Sequence, residues 1–138
     1  MTDVHSIEVR SYNMSRIKNK NTKPEILIRK FLYSKGFRFR INVKTLPGKP
    51  DIVLKRFNTI IFVNGCFWHG HSGCKYFVLP KTRTKWWSDK IKYNKSNDKI
   101  NITKLTLMGW KVINIWECQL KTGKTEKTLN HLLLFLEA

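Results

Sequence analysis

Two short runs decide how this chain folds: Asp51-Ile-Val-Leu54 and Thr59-Ile-Ile-Phe-Val63. Both are apolar and bounded by turn-forming residues, so they predict two adjacent strands with a tight connection at Phe57-Asn58. The second run is apolar at nearly every position, which predicts a strand covered on both faces. A two-residue connection would set Asn64 opposite Asp51, and one more residue would set Gly65 there. On either register Asp51 lies near the strand end that leads into Gly65-Cys-Phe-Trp-His69.

Outward from this pair, Phe37, Phe39, Ile41 and Val43 alternate with polar residues and predict a half-buried strand, followed by a turn cluster at Leu46-Pro-Gly-Lys-Pro50. Earlier still, Thr22-Lys-Pro-Glu25 has an N-cap residue, a proline in the first turn and a glutamate at capping-box spacing. A helix therefore starts there, buries Leu27, Ile28, Phe31 and Leu32, and stops at Gly36. Residues 64–84 form a long irregular stretch, which needs either a function or a local staple. A helix follows from about Lys85 to Met108, with Trp87, Ile91, Ile102 and Leu105 inward, a break expected near Asn94 to Asp98, and Gly109 as its stop. Trp110–Trp116 predicts a strand, and Leu129, Leu132, Leu133 and Leu136 have helical spacing. The order predicts a single α/β domain over residues 15–138, a mixed sheet flanked by helices, behind a mobile extension at 1–14.

The chain of 138 residues carries 27 Lys and Arg against 9 Asp and Glu, a net charge of +18 that points to a polyanionic partner, DNA or RNA. The basic segment 15–21, with Arg16, Lys18 and Lys20, is suited to lie along a nucleic acid backbone, and so are Lys81 and Arg83. No apolar stretch approaches the roughly 20 residues of a membrane helix, and residues 1–15 lack a signal-peptide core. Membrane association and secretion are therefore not expected.

With so few acids, each one bears inspection. Asp51 at a strand end, the helix-borne Glu25 and a histidine from the following loop are placed to converge. A carboxylate that holds Mg²⁺ beside a neutral histidine suits phosphodiester hydrolysis, since the cation activates water and the imidazole accepts its proton. Taken alone, Asp51 also reads as a turn residue and Glu25 as a helix cap. Cys66, His71 and Cys74 share the long loop, and Cys118 follows the Trp110–Trp116 strand. Three thiols and one imidazole form a structural-zinc set, with His69 an alternative to His71. Among the aromatics, Phe67 and Trp68 sit between glycine and histidine and suit contact with bases. Trp110, Trp116 and one of Trp86 and Trp87 are assigned to the core.

Several segments together resemble the very-short-patch repair (Vsr) DNA mismatch endonucleases: Thr22-Lys-Pro-Glu25, Leu46-Pro-Gly-Lys-Pro-Asp51, Phe62-Val-Asn-Gly-Cys-Phe-Trp-His-Gly-His71, Pro80-Lys-Thr-Arg83 and Trp116-Glu-Cys118. The resemblance runs from about Met14 to Leu120. It implies a restriction-endonuclease-like fold and a monomeric bacterial enzyme of the cytoplasm and nucleoid, with other mismatch-repair proteins as candidate partners. The implied activity is a nick in one strand of duplex DNA, 5′ of the T in a T:G mismatch. Residue by residue, it implies that Asp51 and the Val63 carbonyl bind Mg²⁺, and that His69 and Glu25 serve the reaction. Cys66, His71, Cys74 and Cys118 would hold structural Zn²⁺, while Phe67, Trp68 and Trp87 wedge into DNA. The segment 15–21 would clasp the duplex as an arm. Two positions depart from the family pattern. Asn64 stands where the pattern has histidine and can orient water but take no proton. Ser72-Gly73 makes the step from His71 to Cys74 one residue longer than in some members. Two rival readings need no catalysis: a zinc-stabilised DNA-binding module, favoured by Asn64, and an RNA-binding module resting on charge and aromatics.

Overall fold

The computed structural model describes residues 22–137; the predicted extension 1–14 and the arm with Arg16, Lys18 and Lys20 lie outside them. Helix α1 (Lys23–Ser34) comes first, then strands β1 (Arg40–Ile41), β2 (Ile52–Leu54) and β3 (Thr59–Asn64). Helix α2 (Thr84–Leu107), strand β4 (Lys111–Trp116) and helix α3 (Thr125–Glu137) complete the order. The strands form one four-stranded sheet in the order β1-β2-β3-β4, with β1–β2 and β2–β3 antiparallel and β3–β4 parallel.

Strand β3 is the centre of this sheet, and its residues are covered alternately from both sides. Ile61 and Val63, with Ile52 and Leu54 of β2 and Ile115 of β4, pack against Ile28 and Leu32 of α1 and Leu132 and Leu136 of α3. Ile60, with Val53 of β2, packs on the other face against Leu105 of α2, with Phe62, Trp110 and Val112 around it. An apolar run without alternation is what a strand buried on both faces requires. Each fully buried Ile or Leu contributes about 2 kcal/mol through the water it leaves.

The hairpin register differs from the predicted one. Leu54 pairs with Thr59 and Ile52 with Ile61, so continuation of the ladder carries Asp51 to Phe62, not to Asn64 or Gly65. The connection is longer than two residues because Lys55–Phe57 winds a 3₁₀ turn that Asn58 closes in the left-handed conformation, φ 49°. The alternating run at 37–43 yields strand only at Arg40–Ile41, since left-handed Asn42 (φ 49°) ends it. Phe37 and Phe39 still pack on the core.

The break expected in α2 is absent; its 24 residues run unbroken. Its polar residues turn instead toward the long loop between β3 and α2. Asn94 Nδ2 donates to the Trp68 carbonyl at 2.9 Å, and Asp98 Oδ2 meets His69 Nδ1 at 2.6 Å. These two residues are four apart and so share one helix face. Between their contacts, Gly70 (φ +59°) lies so close to α2 that a Cβ there would stand 2.5 Å from Ile91 Cγ2 and 2.9 Å from Lys95 Cδ.

That close approach separates two glycines of the same loop. Gly73 also has a positive φ, +70°, but nothing lies within 4 Å of an added Cβ. Gly73→Ala should cost only the backbone strain of about 1 kcal/mol, whereas Gly70→Ala should cost about 2 kcal/mol more through overpacking against α2. Urea denaturation of both variants checks this, and equal losses would show that the loop is not seated on the helix as described.

Candidate active site and metal centre

Asp51 sits just before β2, after the buried Pro50. Its backbone belongs to the β1 side, where its carbonyl accepts from Asn42 N at 3.0 Å. Its side chain reaches the opposite way, and Oδ2 accepts from the Val63 N–H at 2.7 Å. This contact ties the carboxyl to the end of β3 despite the changed register. Burial pushes the Asp51 carboxyl up to about 7; the Val63 N–H works against this, Glu25 adds to it, and His69 and Arg29 oppose it. A half-buried carboxyl that holds its proton to neutrality is a group a divalent cation would readily ionise. Its hard oxygen donors suit Mg²⁺.

Glu25 is the third residue of α1, 2% exposed. Thr22 caps the helix as the sequence predicted. Its Oγ1 accepts from Glu25 N at 3.5 Å and donates to Glu25 Oε1 at 3.3 Å. The capping geometry holds the glutamate against the sheet end, where its charge reaches Asp51. Arg29, one turn on, donates to Glu25 Oε2 at 3.0 Å. Sequence reading passed over Arg29, although its spacing of four from the glutamate is that of a helical ion pair. Asn64 ends β3 beside Trp116 of β4 and is 7% exposed.

His69 follows in the loop, its N–H donating to the Gly65 carbonyl at 3.2 Å. With Nδ1 against the Asp98 carboxylate at 2.6 Å, the proton of a neutral ring belongs on Nδ1 and the lone pair on Nε2. Asp98 was also missed. The signal for it was the scarcity of acids: an aspartate amid lysines on a helix of a basic chain has a purpose.

Cys66, His71, Cys74 and Cys118 present their ligand atoms all within 4.8 Å of one another. The cluster contains His71 and not His69. Short contacts draw it together: His71 N donates to the Cys66 carbonyl at 2.9 Å, Cys118 N to Cys66 Sγ at 3.4 Å, and Cys118 Sγ lies 3.4 Å from His71 Nδ1. The 3₁₀ turn Glu117–Leu120 that follows β4 carries Cys118 to the loop. The His71 ring stacks on Trp116 at 4.0 Å and 5°. Three sulfurs and one nitrogen at this spread match a tetrahedral Zn²⁺ site. Burial pushes the Cys66 thiol up to about 12, and a bound cation would reverse that.

The aromatics form one cluster. Phe67 meets Trp68 and Trp87 at 5.4 Å each, and Trp68 lies 5.8 Å from Trp87. All three are half-buried, while Lys81 and Arg83 beside them are exposed. Of Trp86 and Trp87, one of which the sequence assigned to the core, Trp86 is 47% exposed and Trp87 is half-buried against Phe67 and Trp68.

A half-buried carboxyl suited to a cation and a histidine backed by a carboxylate, on a chain of net charge +18, are the marks of a hydrolase that cuts nucleic acid phosphodiesters. The chain belongs to the Vsr family of DNA mismatch endonucleases: the family model described as DNA mismatch endonuclease Vsr matches residues 2–75. It is 50% identical to the type II nicking enzyme V.NmeAIP of Neisseria meningitidis over 121 residues, 88% of this chain and 86% of that protein. It is 45% identical to the type II nicking enzyme V.XorIIP of Xanthomonas oryzae pv. oryzae over 134 residues, 96% and 98% of the two chains. To the DNA mismatch endonuclease Vsr of Escherichia coli it is 40% identical over 121 residues, 88% of this chain and 77% of that one. The protein is thus a DNA-cleaving hydrolase, and neither the non-catalytic module nor the RNA-binding reading stands. No helix among the described residues is long and apolar enough to cross a membrane.

Two measurements follow from this geometry. A folded-state pKa of about 7 against the ordinary 3.8 means that the folded chain holds the Asp51 proton more tightly than the unfolded one. Ionisation then removes folding stability from about pH 4 to about pH 7, with no further loss above. In protein free of Mg²⁺, Asp51→Asn should therefore melt higher than the unaltered chain by a margin that grows across that window and then levels. A margin constant with pH would contradict the burial described. In metal analysis the purified chain should contain about one zinc, and Cys118→Ser should lose both the zinc and thermal stability. Folded protein with no zinc would dismiss the cluster as a metal centre.

Proposed function

We propose that this endonuclease nicks one strand of duplex DNA 5′ of the T in a T:G mismatch, using Mg²⁺ at Asp51 and the Val63 carbonyl. One observation carries the reading. A half-buried carboxyl bonded to the Val63 N–H near the end of β3 and a carboxylate-backed histidine in the loop that leaves β3 lie at one end of the sheet. The layered sheet with helices on both faces serves as a restriction-endonuclease-like scaffold that holds this end open to DNA.

When bound, the cation would supply positive charge to the phosphate and lower the pKa of water at the site. The chain supplies the rest. His69 Nε2 takes the proton of the attacking water, whose oxygen bonds to phosphorus as one P–O ester bond breaks and the leaving oxygen acquires a proton. Asp98 holds the ring with Nδ1 protonated and stabilises the imidazolium that forms, which makes it a positioning residue. Glu25, fixed by Thr22 and Arg29, adds negative charge beside Asp51 and so favours a cation there. Asn64, which cannot take a proton, orients water. Zn²⁺ at Cys66, His71, Cys74 and Cys118 holds the loop, and the rings of Phe67, Trp68 and Trp87 enter the duplex at the mismatch. Arg16, Lys18 and Lys20 clasp the backbone, and Lys81 and Arg83 contact phosphates.

The test is nicking of an end-labelled T:G duplex in Mg²⁺ beside its T:A control, with binding followed separately. The unaltered chain should nick the T:G duplex alone. His69→Ala should lower the rate about 10²–10⁴-fold, and Asp98→Asn about 10–100-fold, with binding kept in both. Asp51→Ala should abolish nicking and hold or raise affinity, because a negative charge leaves a basic groove. Nicking by Asp51→Ala at the unaltered rate would end the metal-nuclease reading, and equal cutting of both duplexes would end the mismatch reading.

A further inference from the structure

The aromatic cluster does not end at the three rings assigned to the wedge. Trp86 continues it outward, its ring perpendicular to that of Trp87, with 4.8 Å between centroids and 89° between planes. The Arg83 guanidinium lies over the Trp86 ring at 4.9 Å. Arg83 is itself exposed, at the start of α2, with φ 57° and no capping hydrogen bond from its side chain. A tryptophan 47% exposed on a soluble surface leaves much apolar area in water. Here a perpendicular ring and a guanidinium both hold the side chain, so it loses little freedom on meeting a ligand.

We infer that Trp86 forms a further DNA contact at the margin of the wedge, coupled through its ring to the phosphate contact proposed for Arg83. The Trp86 ring lies against a base or sugar of the flanking strand, and the guanidinium bridges from the ring to a phosphate. The occupant is duplex DNA because the patch is continuous with the Phe67–Trp68–Trp87 cluster and carries positive charge on a chain of net +18. An aromatic face gives sequence-tolerant contact and a guanidinium gives a planar fork for phosphate oxygens. The pair therefore contributes to binding of matched and mismatched duplex alike, unlike a ring that reads the mismatch. The inference rests on the proposed DNA reading of the wedge.

The experiment measures affinity of the zinc-loaded full chain for T:G and T:A duplexes by fluorescence anisotropy over a range of salt. Trp86→Ala should weaken both about tenfold, while Trp86→Phe keeps most of the affinity. Arg83→Gln, an exposed change that leaves the core intact, should reduce the slope of log affinity against log salt by about one. Trp68→Ala should instead fall mainly on the T:G duplex. If Trp86→Ala and Arg83→Gln bind both duplexes like the unaltered chain, the contact is refuted while the wedge stands. If Trp86→Ala loses only the preference for T:G, the ring merely props Trp87 and the inference is likewise refuted. If the unaltered chain binds neither duplex, the parent reading fails. Should Trp86→Ala not fold, Trp86→Phe and the salt slope of Arg83→Gln still decide.

Discussion

Everything at this site depends on how the chain leaves β3. The strand is buried on both faces, runs parallel to β4, and ends at Asn64 beside Trp116. Parallel neighbours finish at the same end of the sheet, so Cys66 and Cys118, each two residues past its strand, arrive together. The sulfur–nitrogen cluster closes across that junction and turns the chain back within a few residues. Inside this turn lie three backbone hydrogen bonds, from His69, Gly70 and His71 to the carbonyls of Gly65, Phe67 and Cys66. A loop with so little apolar burial of its own would otherwise open easily. The cluster on one side and α2 on the other leave His69 a narrow range of positions.

Charge is distributed with the same economy. Of nine acids in a chain of net charge +18, three meet at or beside this turn: Glu25, Asp51 and Asp98. Glu25 is paired with Arg29, and its charge raises the proton affinity of Asp51. Asp98 is committed to the histidine.

The layers of the fold were legible because they follow from local patterns: the apolar run of β3, the capped start of α1 at Thr22, and the stop at Gly109. The gathering of Cys66, His71, Cys74 and Cys118 was legible too, since three cysteines and a histidine around one loop suit a single site. Register was not. Phe57-Asn58 resembles a short turn, yet the 3₁₀ turn at Lys55–Phe57 makes the connection longer, and no period in the sequence reveals that. The polar stretch Asn94–Asp98 suggested a helix break for a related reason. Its residues satisfy partners in a loop some 26 and 29 positions earlier, and a partner so distant in sequence leaves no trace in helical periodicity. The choice between Trp86 and Trp87 was not legible either, because composition does not say which of two adjacent tryptophans faces solvent; Trp86 does.

The sulfur–nitrogen cluster closes the turn after β3 and so holds His69 in place. Amide hydrogen exchange before and after removal of the metal tests it directly. The amides of His69, Gly70 and His71 should lose their protection when the metal is stripped, while those of β3 between Ile60 and Val63 keep theirs. Unchanged protection at His69 to His71 in metal-free protein would show that the loop holds itself and would contradict the account.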